Sequence, residues 1–481
     1  MRKLTALLAF CAPALAQDEE KGQLVVTRQD VYERFALVEH QLEQGSLLEA
    51  IDERSALART SDEYDQIWSR LLAGFLPTAA RELAEMEREL DPNGGMQPRS
   101  DSGFRADVRI DGRWVRSGEA PLYDLDRLEV RVRSMWMRPE LAGQSLVVTG
   151  RWIDASDSAS FVEQMHPYLG QVRFDERGRA MPATFEVPVS AEEHASLNLA
   201  LRDEYASAAY VRAVDLDEEF DARIAALDRD DGAARAFRSR ASLNVRAPSM
   251  ERSAEFLHRT PSFAGDLAEE LAALEKGDDP YRSYPGQLWR TFAHGEKDLA
   301  AMVHLPPSAP EASIPLVVCL HDAGVDEGFY FTFGGHGRAL QLAERHGCLL
   351  VTPFTPSLAA QPEAFDALLA GIAEDYPIDP DRVFVFGHSL GAVVTAQLCT
   401  ARPERIAGAC CVSGFSCVGE DSPPVMVIQG ERDVLMPAAR VRANVASCDS
   451  SEVTYYELED LGHTLLIPYA LDRAFADWFG Q

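Results

Sequence analysis

The spacing of apolar residues changes along the chain and divides it into regions. From about Val25 to Leu90, apolar residues recur near a 3.6-residue period among charged ones, which predicts helices. Between about Phe104 and Val214, short alternating runs broken by turn residues predict a small antiparallel β-sandwich. From about Tyr281 onward, apolar strand-like runs alternate with helical segments. That alternation predicts an α/β fold, with a mostly parallel sheet covered by helices on both faces.

These changes of pattern predict five segments. Residues 1–16 read as a signal peptide, and residues 17–100 as a helical N-terminal region. Residues 101–215 are expected to form a β-rich accessory domain, joined by a helical connector over 216–280 to an α/β domain over 281–481. A chain of 481 residues is long enough for several cores of this kind.

The first 16 residues have the layout of a secretory signal. Basic Arg2 and Lys3 precede an apolar run and the small residues Ala14 and Ala16, so cleavage is expected before Gln17. A lipoprotein signal through Cys11 is less favoured, because bulky Phe10 precedes that cysteine. No later stretch reaches about 18 consecutive apolar residues, so no membrane-spanning helix is expected. We therefore expect an exported protein, secreted or periplasmic.

The formal net charge is −31, which excludes some partners. Nonspecific binding to nucleic acid or to an anionic membrane needs cationic surface, so neither is expected. Seven cysteines follow Cys11, an odd number that argues against a disulfide framework, although Cys417 or Cys448 could take part in one bond. None of the cysteines or histidines has metal-ligand spacing, and no metal or cofactor is predicted.

A candidate nucleophile stands at Ser389. The pentapeptide Gly387-His-Ser-Leu-Gly391 lies between a strand-like run, Arg382–Phe386, and a helix-like run that begins at Leu390. A strand-to-helix turn of this kind projects a serine oxygen from the sheet edge, and glycines leave room for the crowded backbone. The alternative interpretation is an ordinary strand-to-helix loop.

A serine hydroxyl needs a base, and the base needs an anion that holds its tautomer. Asp433 follows the strand-like run Val425–Gln429, and His463 follows Val453–Glu457. Both residues therefore fall at the ends of predicted strands. The order Ser389, Asp433, His463 is the order of an α/β-hydrolase triad.

With these motifs the sequence resembles the α/β-hydrolase superfamily over residues 281–481. The resemblance implies that Ser389 is the nucleophile, His463 the general base and then acid, and Asp433 the orienting carboxylate. It also implies an oxyanion hole formed by the backbone N–H of Leu390 and of Ala323, which lies in His321-Asp322-Ala323-Gly324. The departure from the family is Asp322, where glycine is usual. His321 is interpreted as a residue that organises its loop, and His388 as one that packs under the turn and faces away from the substrate.

The resemblance implies hydrolysis of carboxylic esters through an acyl-enzyme, without a cofactor. Only the 12 residues 413–424 separate two predicted strands where the family often inserts a lid, so a comparatively open site is expected. A peptidase of the same fold is the first alternative, and a non-catalytic binding protein on this scaffold is the second. The substrate would be a small-molecule or polymer ester, and the sequence does not identify a partner for the accessory domain.

Overall fold

A computed structural model describes most of the chain. The described residues are 26, 28–44, 54–90, 104–110, 113–116, 121–122, 127–154, 168–181, 183–188, 194–201, 204–212, 218–242, 263–295, 298–448, 450 and 452–480. The predicted signal peptide, residues 1–16, lies outside them. No described helix has both the length and the apolar composition needed to cross a membrane.

Three helices form the N-terminal region: α1 (Arg28–Gln44), α2 (Arg54–Leu72) and α3 (Leu76–Leu90). Apolar residues in α3 are buried every three or four positions, which gives the helix one apolar face. Phe35 of α1 and Trp68 of α2 are fully buried, with their ring centroids 5.1 Å apart. Both side chains belong to a hydrophobic core that continues into the C-terminal sheet described below.

Short strands between Phe104 and Arg212 form two sheets. One sheet has the order β2-β1-β4-β7 and the other β3-β9-β8-β5-β6, and all their described pairs are antiparallel except β3 with β9. A hydrophobic core that includes Val130, Val148 and Val172 belongs to this β-rich region alone. The strands are β1 (Phe104–Ile110), β2 (Arg113–Arg116), β3 (Pro121–Leu122), β4 (Arg127–Ser134), β5 (Ser145–Asp154), β6 (Tyr168–Arg173), β7 (Ala183–Pro188), β8 (His194–Leu201) and β9 (Glu204–Arg212), and a short 3-10 turn spans Pro139–Leu141.

Three further helices, α4 (Glu218–Ala226), α5 (Gly232–Ala241) and α6 (Phe263–Glu275), precede the C-terminal sheet. A buried ion pair joins two of them, since Arg240 Nη2 lies 2.6 Å from Glu270 Oε1. Arg240 Nη1 also donates to the carbonyl of Trp289 at 2.6 Å. The pair therefore ties α5 and α6 to the first strand of the sheet.

Eight strands form the C-terminal sheet, in the order β10-β11-β13-β12-β14-β15-β16-β17. The first two strands form an antiparallel hairpin, as the sequence predicted, and β12 to β17 run parallel. The strands are β10 (Gly286–Phe292), β11 (Leu299–Leu305), β12 (Ile314–Leu320), β13 (Leu349–Pro353), β14 (Ile378–His388), β15 (Gly408–Val412), β16 (Val425–Gly430) and β17 (Val453–Leu458). The predicted mostly parallel sheet of the α/β domain is thereby confirmed.

Helices cover both faces of this sheet. Side chains along each parallel strand alternate between two hydrophobic cores, one on each face. In β12, Val317 and Cys319 enter one core while Leu316 and Val318 enter the other. The helices are α7 (Phe329–Thr332), α8 (Arg338–His346), α9 (Thr355–Ala360), α10 (Ala364–Asp375), α11 (Leu390–Ala401), α12 (Ala438–Ala446) and α13 (Ile467–Phe479), with a 3-10 turn at Pro403–Arg405. Helices α1 to α3 pack on the same face of the sheet as Val317 and Cys319.

The cysteines of the C-terminal part are all free thiols. Five are buried, Cys417 is exposed and Cys448 is half-buried. A disulfide at Cys417 or Cys448, which the sequence left open, is therefore not formed. Buried thiols of this kind pack as small apolar side chains.

Candidate active site

Ser389 occupies a sharp turn between β14 and α11. Its backbone is in an uncommon conformation for a residue with a side chain, with φ 53° and ψ −110°. The flanking glycines are required by close approach: a Cβ on Gly387 would lie 2.3 Å from the Gly391 carbonyl oxygen, and one on Gly391 would lie 1.9 Å from the Leu320 carbonyl oxygen. The turn therefore has the strain and the crowding of a nucleophile elbow.

Asp433 lies just beyond the carboxyl end of β16 and contacts His463 directly. His463 Nδ1 lies 2.9 Å from Asp433 Oδ2, and both side chains are buried. Gln429 Nε2 donates to the same oxygen at 2.8 Å, while the backbone N–H groups of Leu435 and Met436 donate to Oδ1. Because the carboxylate accepts from Nδ1–H, the other ring nitrogen of His463, Nε2, carries the lone pair of the neutral imidazole.

The structure brings Asp433 and His463 together and ends β14 at the strained turn that carries Ser389. His463 Nε2 has no hydrogen-bond partner in the described part of the chain. Catalytic hydrogen bonds are often long before substrate binds, so this geometry is compatible with a serine–histidine pair that closes on binding.

Asp322 is a buried carboxylate at the centre of the site. Its Oδ2 accepts from the Trp68 indole N–H at 3.1 Å, and the same oxygen lies 3.8 Å from His463 Nε2 and 3.7 Å from His388 Nδ1. The Ser389 hydroxyl also interacts with this carboxylate and helps to keep it ionised. Asp322, where the resemblance led us to expect glycine, thus places a negative charge beside Ser389 and His463.

The charges in the site perturb one another. Burial alone would lower the pKa of His463, but Asp433 and Asp322 outweigh it and raise the pKa to about 10. Burial would raise the pKa of Asp322, yet its contacts with His463, His388 and Ser389 lower it to about 2. His463 is therefore flanked by two carboxylates, one at each ring nitrogen.

The predicted oxyanion donors are in different situations. Leu390 is the first residue of α11, so its N–H has no partner in the helical ladder and can face a ligand. The N–H of Ala323, by contrast, donates to the carboxylate of Asp322 in this structure. The N–H of Ala323 can donate to an oxyanion only if the Asp322 carboxylate moves away from it. This requirement arises because position 322 is an aspartate and not a glycine.

Two other histidines are buried around the site. His321 Nε2 accepts from the backbone N–H of Thr355 at 3.0 Å, so its Nδ1 carries the proton and lies 2.8 Å from the Asp322 carbonyl oxygen. Burial lowers the pKa of His321 to about 4, so the ring is neutral and organises its loop. His388 Nε2 lies 2.8 Å from the backbone carbonyl oxygen of His463, and burial first and then His463 lower its pKa to about 4.

Helix α2 holds the loop that carries His463. The Asp65 carboxylate accepts from the backbone N–H groups of His463 and Thr464, and Ser61 Oγ accepts from the N–H of Gly462 at 2.8 Å. A Cβ on Gly462 would lie 1.9 Å from Asp65 Oδ2, so only glycine fits beneath this carboxylate. Burial raises the pKa of Asp65 to about 6, against the opposing effect of His463.

The N-terminal helices also contact the loop predicted to form the oxyanion hole. Tyr32 donates to the carbonyl of Gly324, and Trp68 donates to Asp322 as described above. Glu39 Oε2 accepts from the backbone N–H of His336 at 2.9 Å. His463 and Asp322 are each only 1% exposed while Ser389 is half-buried, and the expectation of a comparatively open site stays a prediction. Helices α1 and α2, rather than an insertion at 413–424, pack over the loops that carry Asp322 and His463.

Sequence reasoning missed Ser61, Asp65 and Trp68, although their spacing contained a signal. They lie at i, i+4 and i+7 of α2, together with buried Tyr64, and so share one helical face. Two polar residues on an otherwise buried face indicate a polar partner. The pattern does not identify that partner, because the histidine loop lies almost 400 residues later in the chain.

Comparison with known proteins gives distant structural likenesses. No protein-family model and no curated protein sequence matches the chain. An S-formylglutathione hydrolase from Staphylococcus aureus is 14% identical, with 41% of this chain and 96% of that chain covered at a TM-score of 0.34. A feruloyl esterase module from Clostridium thermocellum is 12% identical, with 41% and 89% covered at a TM-score of 0.35.

A third similar structure is described as a thermostable esterase. It is 13% identical, with 80% of this chain and 91% of that chain covered at a TM-score of 0.36. At these low identities and TM-scores, the likenesses carry no argument about the activity of this chain. All three proteins are named as hydrolases or esterases.

Proposed function

We propose that this chain is a serine hydrolase that cleaves carboxylic esters through Ser389, His463 and Asp433. The single observation that supports the proposal most is the 2.9 Å contact between His463 Nδ1 and Asp433 Oδ2, buried near the strained elbow of Ser389. A carboxylate in that position holds the imidazole with its Nε2 lone pair available to a serine hydroxyl.

In the first step, Ser389 Oγ attacks the ester carbonyl carbon and His463 Nε2 takes the hydroxyl proton. The tetrahedral oxyanion then expels the alkoxide, which receives that proton from His463 and leaves as an alcohol. In the second step, His463 takes a proton from water, the resulting hydroxide attacks the acyl-enzyme, and the carboxylic acid departs while Ser389 regains its proton. The N–H of Leu390 is the first oxyanion donor.

In this mechanism the side chains of Ser389 and Asp322 must move before the ester is attacked. In the resting site, the Ser389 hydroxyl interacts with Asp322 and His463 Nε2 has no hydrogen-bond partner among the described residues. The serine side chain must turn from the carboxylate to the imidazole before it can attack. Movement of Asp322 would also release the N–H of Ala323 as the second oxyanion donor.

The signal-like residues 1–16 support the further proposal that the enzyme is exported to the periplasm or beyond the cell. N-terminal sequencing of the protein recovered outside the cytoplasm tests this proposal. A mature chain that begins at Gln17 is expected, and a chain that retains Met1 would contradict export through this signal.

Ser389→Ala tests the proposed activity. The wild type should hydrolyse a short-chain chromogenic ester and be labelled by a fluorophosphonate, and Ser389→Ala should lose the labelling and at least about 1,000-fold in kcat/KM. Ser313→Ala is a matched control, because Ser313 is an exposed serine with nearly the same φ, 56°, far from the triad in sequence.

Absence of turnover and of labelling in the wild type would refute the proposal. Faster cleavage of a chromogenic peptide amide than of any ester in a panel would favour the peptidase alternative. Labelling retained in Ser389→Ala would show that another residue is the nucleophile.

A further inference from the structure

Three buried side chains direct acceptor atoms toward one point beside Ser389. The atoms are Asp322 Oδ2, His388 Nδ1 and His463 Nε2, and all three lie within 4.8 Å of one another. The side chains are at most 1% exposed. Within the described ranges, this is the one group of three potential metal-ligating side chains that lie so close together.

Each histidine ring makes a hydrogen bond through one of its nitrogens, and that bond determines which of the two nitrogens is unprotonated. His388 Nε2 faces the backbone carbonyl of His463, which can only accept, so Nε2 holds the proton and Nδ1 has a free lone pair. His463 Nδ1 faces the Asp433 carboxylate, so the same reasoning leaves Nε2 with a lone pair in the neutral ring. Both lone pairs point toward the Asp322 carboxylate.

When His463 is neutral, these three acceptors face one another with no positive centre among them. Neither His388 Nδ1 nor His463 Nε2 has a hydrogen-bond partner in the described part of the chain. Buried acceptors without a donor are costly. A proton on His463 Nε2 would pair with Asp322 but would leave His388 Nδ1 facing the same carboxylate at 3.7 Å. A cation at the centre would satisfy all three.

The surrounding contacts are also those of metal ligands. A ligating histidine normally donates its second ring N–H to a carboxylate or a backbone carbonyl, which fixes its orientation. His463 has the Asp433 carboxylate behind it and His388 has a carbonyl behind it. The third ligand, Asp322, is held by the indole N–H of Trp68 at 3.1 Å.

We propose that Asp322, His388 and His463 form a binding site for a first-row divalent metal ion, with Zn²⁺ as the best fit. Two imidazoles and one carboxylate suit Zn²⁺ and Co²⁺, whereas Mg²⁺ and Ca²⁺ prefer all-oxygen sites. Tetrahedral Zn²⁺ with bonds of about 2.0–2.1 Å needs ligand atoms roughly 3.3 Å apart. The two separations from Asp322 Oδ2 are 3.7 and 3.8 Å, and all three atoms lie within 4.8 Å of one another, so the side chains must draw closer to bind the ion.

The proposed metal would block the proposed ester hydrolysis, a consequence that rests on the function proposed above. Zn²⁺ bound to His463 Nε2 uses the lone pair that must receive the Ser389 proton. The metal-bound protein is then unable to begin acyl transfer, and removal of the metal restores the base. The site is thus a metal-dependent off state built from two residues of the triad region and one residue of the oxyanion loop.

Calorimetric titration of the metal-free, full-length protein with ZnCl₂ tests the site. One Zn²⁺ per chain is expected for the wild type and for Ser389→Ala, which needs no turnover to be measured. Asp322→Asn and His388→Gln should each weaken binding at least about tenfold. His294→Gln is the matched control, because His294 is a half-buried histidine that contacts only Gln361 among the contacts described for it.

Two precautions keep the result specific. Cys417 is an exposed thiol that could bind Zn²⁺ weakly, so the titrations are repeated with Cys417→Ser in every variant. Near-UV circular dichroism checks that each variant is folded, and Asp322→Asn preserves side-chain shape if His388→Gln fails that check.

The outcomes separate the metal site from the enzyme proposal. Stoichiometric binding that Asp322→Asn and His388→Gln weaken, together with inhibition of ester turnover that EDTA reverses, is the expected result. The site is overturned if the wild type binds no stoichiometric Zn²⁺ or if both variants bind it as tightly as the wild type. If Ser389→Ala binds Zn²⁺ while the wild type never hydrolyses an ester, the metal site stands and the proposed function fails.

Discussion

The N-terminal helices and the β-rich region both precede the C-terminal sheet, but they differ in how they are related to it. Helices α1 and α2 share a hydrophobic core with the sheet and hydrogen-bond the loops of His463 and Asp322. The strands of the β-rich region instead have a core of their own, although Met135 and Trp136, which follow β4, belong to the shared core. The difference indicates that α1 and α2 are a structural part of the candidate site, whereas the β-rich region is not shown to contact it.

The largest expected effect comes from a matched pair of substitutions, one in each of the two regions. Phe35→Asp places an unpaired charge among Tyr64, Trp68 and Phe333, which costs several kcal/mol and should abolish hydrolysis of a short-chain ester. Val148→Asp does the same in the core of the β-rich region and should leave that hydrolysis unchanged. Equal loss of ester turnover in the two variants would show that the regions are not functionally distinct.

Substitution of Asp65 tests the contact between α2 and the loop that carries His463. Asp65→Ala leaves two buried N–H groups of the histidine loop without an acceptor, at about 1–3 kcal/mol each. Because misplacement of a catalytic group by about 1 Å can cost roughly 100-fold, kcat/KM should fall by about that factor. Thermal unfolding of the same variant separates lost positioning from lost folding, since a chain that is still folded at the assay temperature must owe the loss to positioning.

A double-mutant cycle with Gly462 sharpens the same contact. Gly462→Ala alone should destabilise the protein by about 1–3 kcal/mol, because its Cβ would lie 1.9 Å from Asp65 Oδ2. In the Asp65→Ala background that oxygen is gone, so the added cost should be smaller by about 0.5–3 kcal/mol. Additive losses of unfolding free energy would mean that the two residues are not in contact.

The smallest effect is expected at Asp62, which is three residues from Asp65 on the same helix. Asp62 pairs with Arg432 at the surface, where side chains are 35% and 40% exposed. Exposed ion pairs contribute about 0–1 kcal/mol. Asp62→Ala should therefore change neither kcat/KM nor the unfolding midpoint appreciably, and a loss as large as that of Asp65→Ala would contradict the assignment of roles within α2.

The sequence predicted the sheet and the positions of Ser389, Asp433 and His463 because each follows its own strand. Local pattern is sufficient there, since the carboxyl ends of parallel strands meet at one edge. It could not predict the role of Trp68, whose indole N–H finds Asp322 254 residues later. Asp322 itself was recognised as a departure from the family, but its proximity to His388 and His463 depends on tertiary packing.

The contact between Asp65 and His463 spans 398 residues of chain, and this separation has a consequence for biosynthesis. Loops of such length cost little extra closure entropy, about 0.6 kcal/mol for each doubling, but contacts distant in sequence form late and slowly. Helix α2 is synthesised long before the histidine loop that it holds. The candidate site is consequently not assembled in the nascent chain until nearly the whole length has been made, and the hydrolysis proposed for it would begin only then.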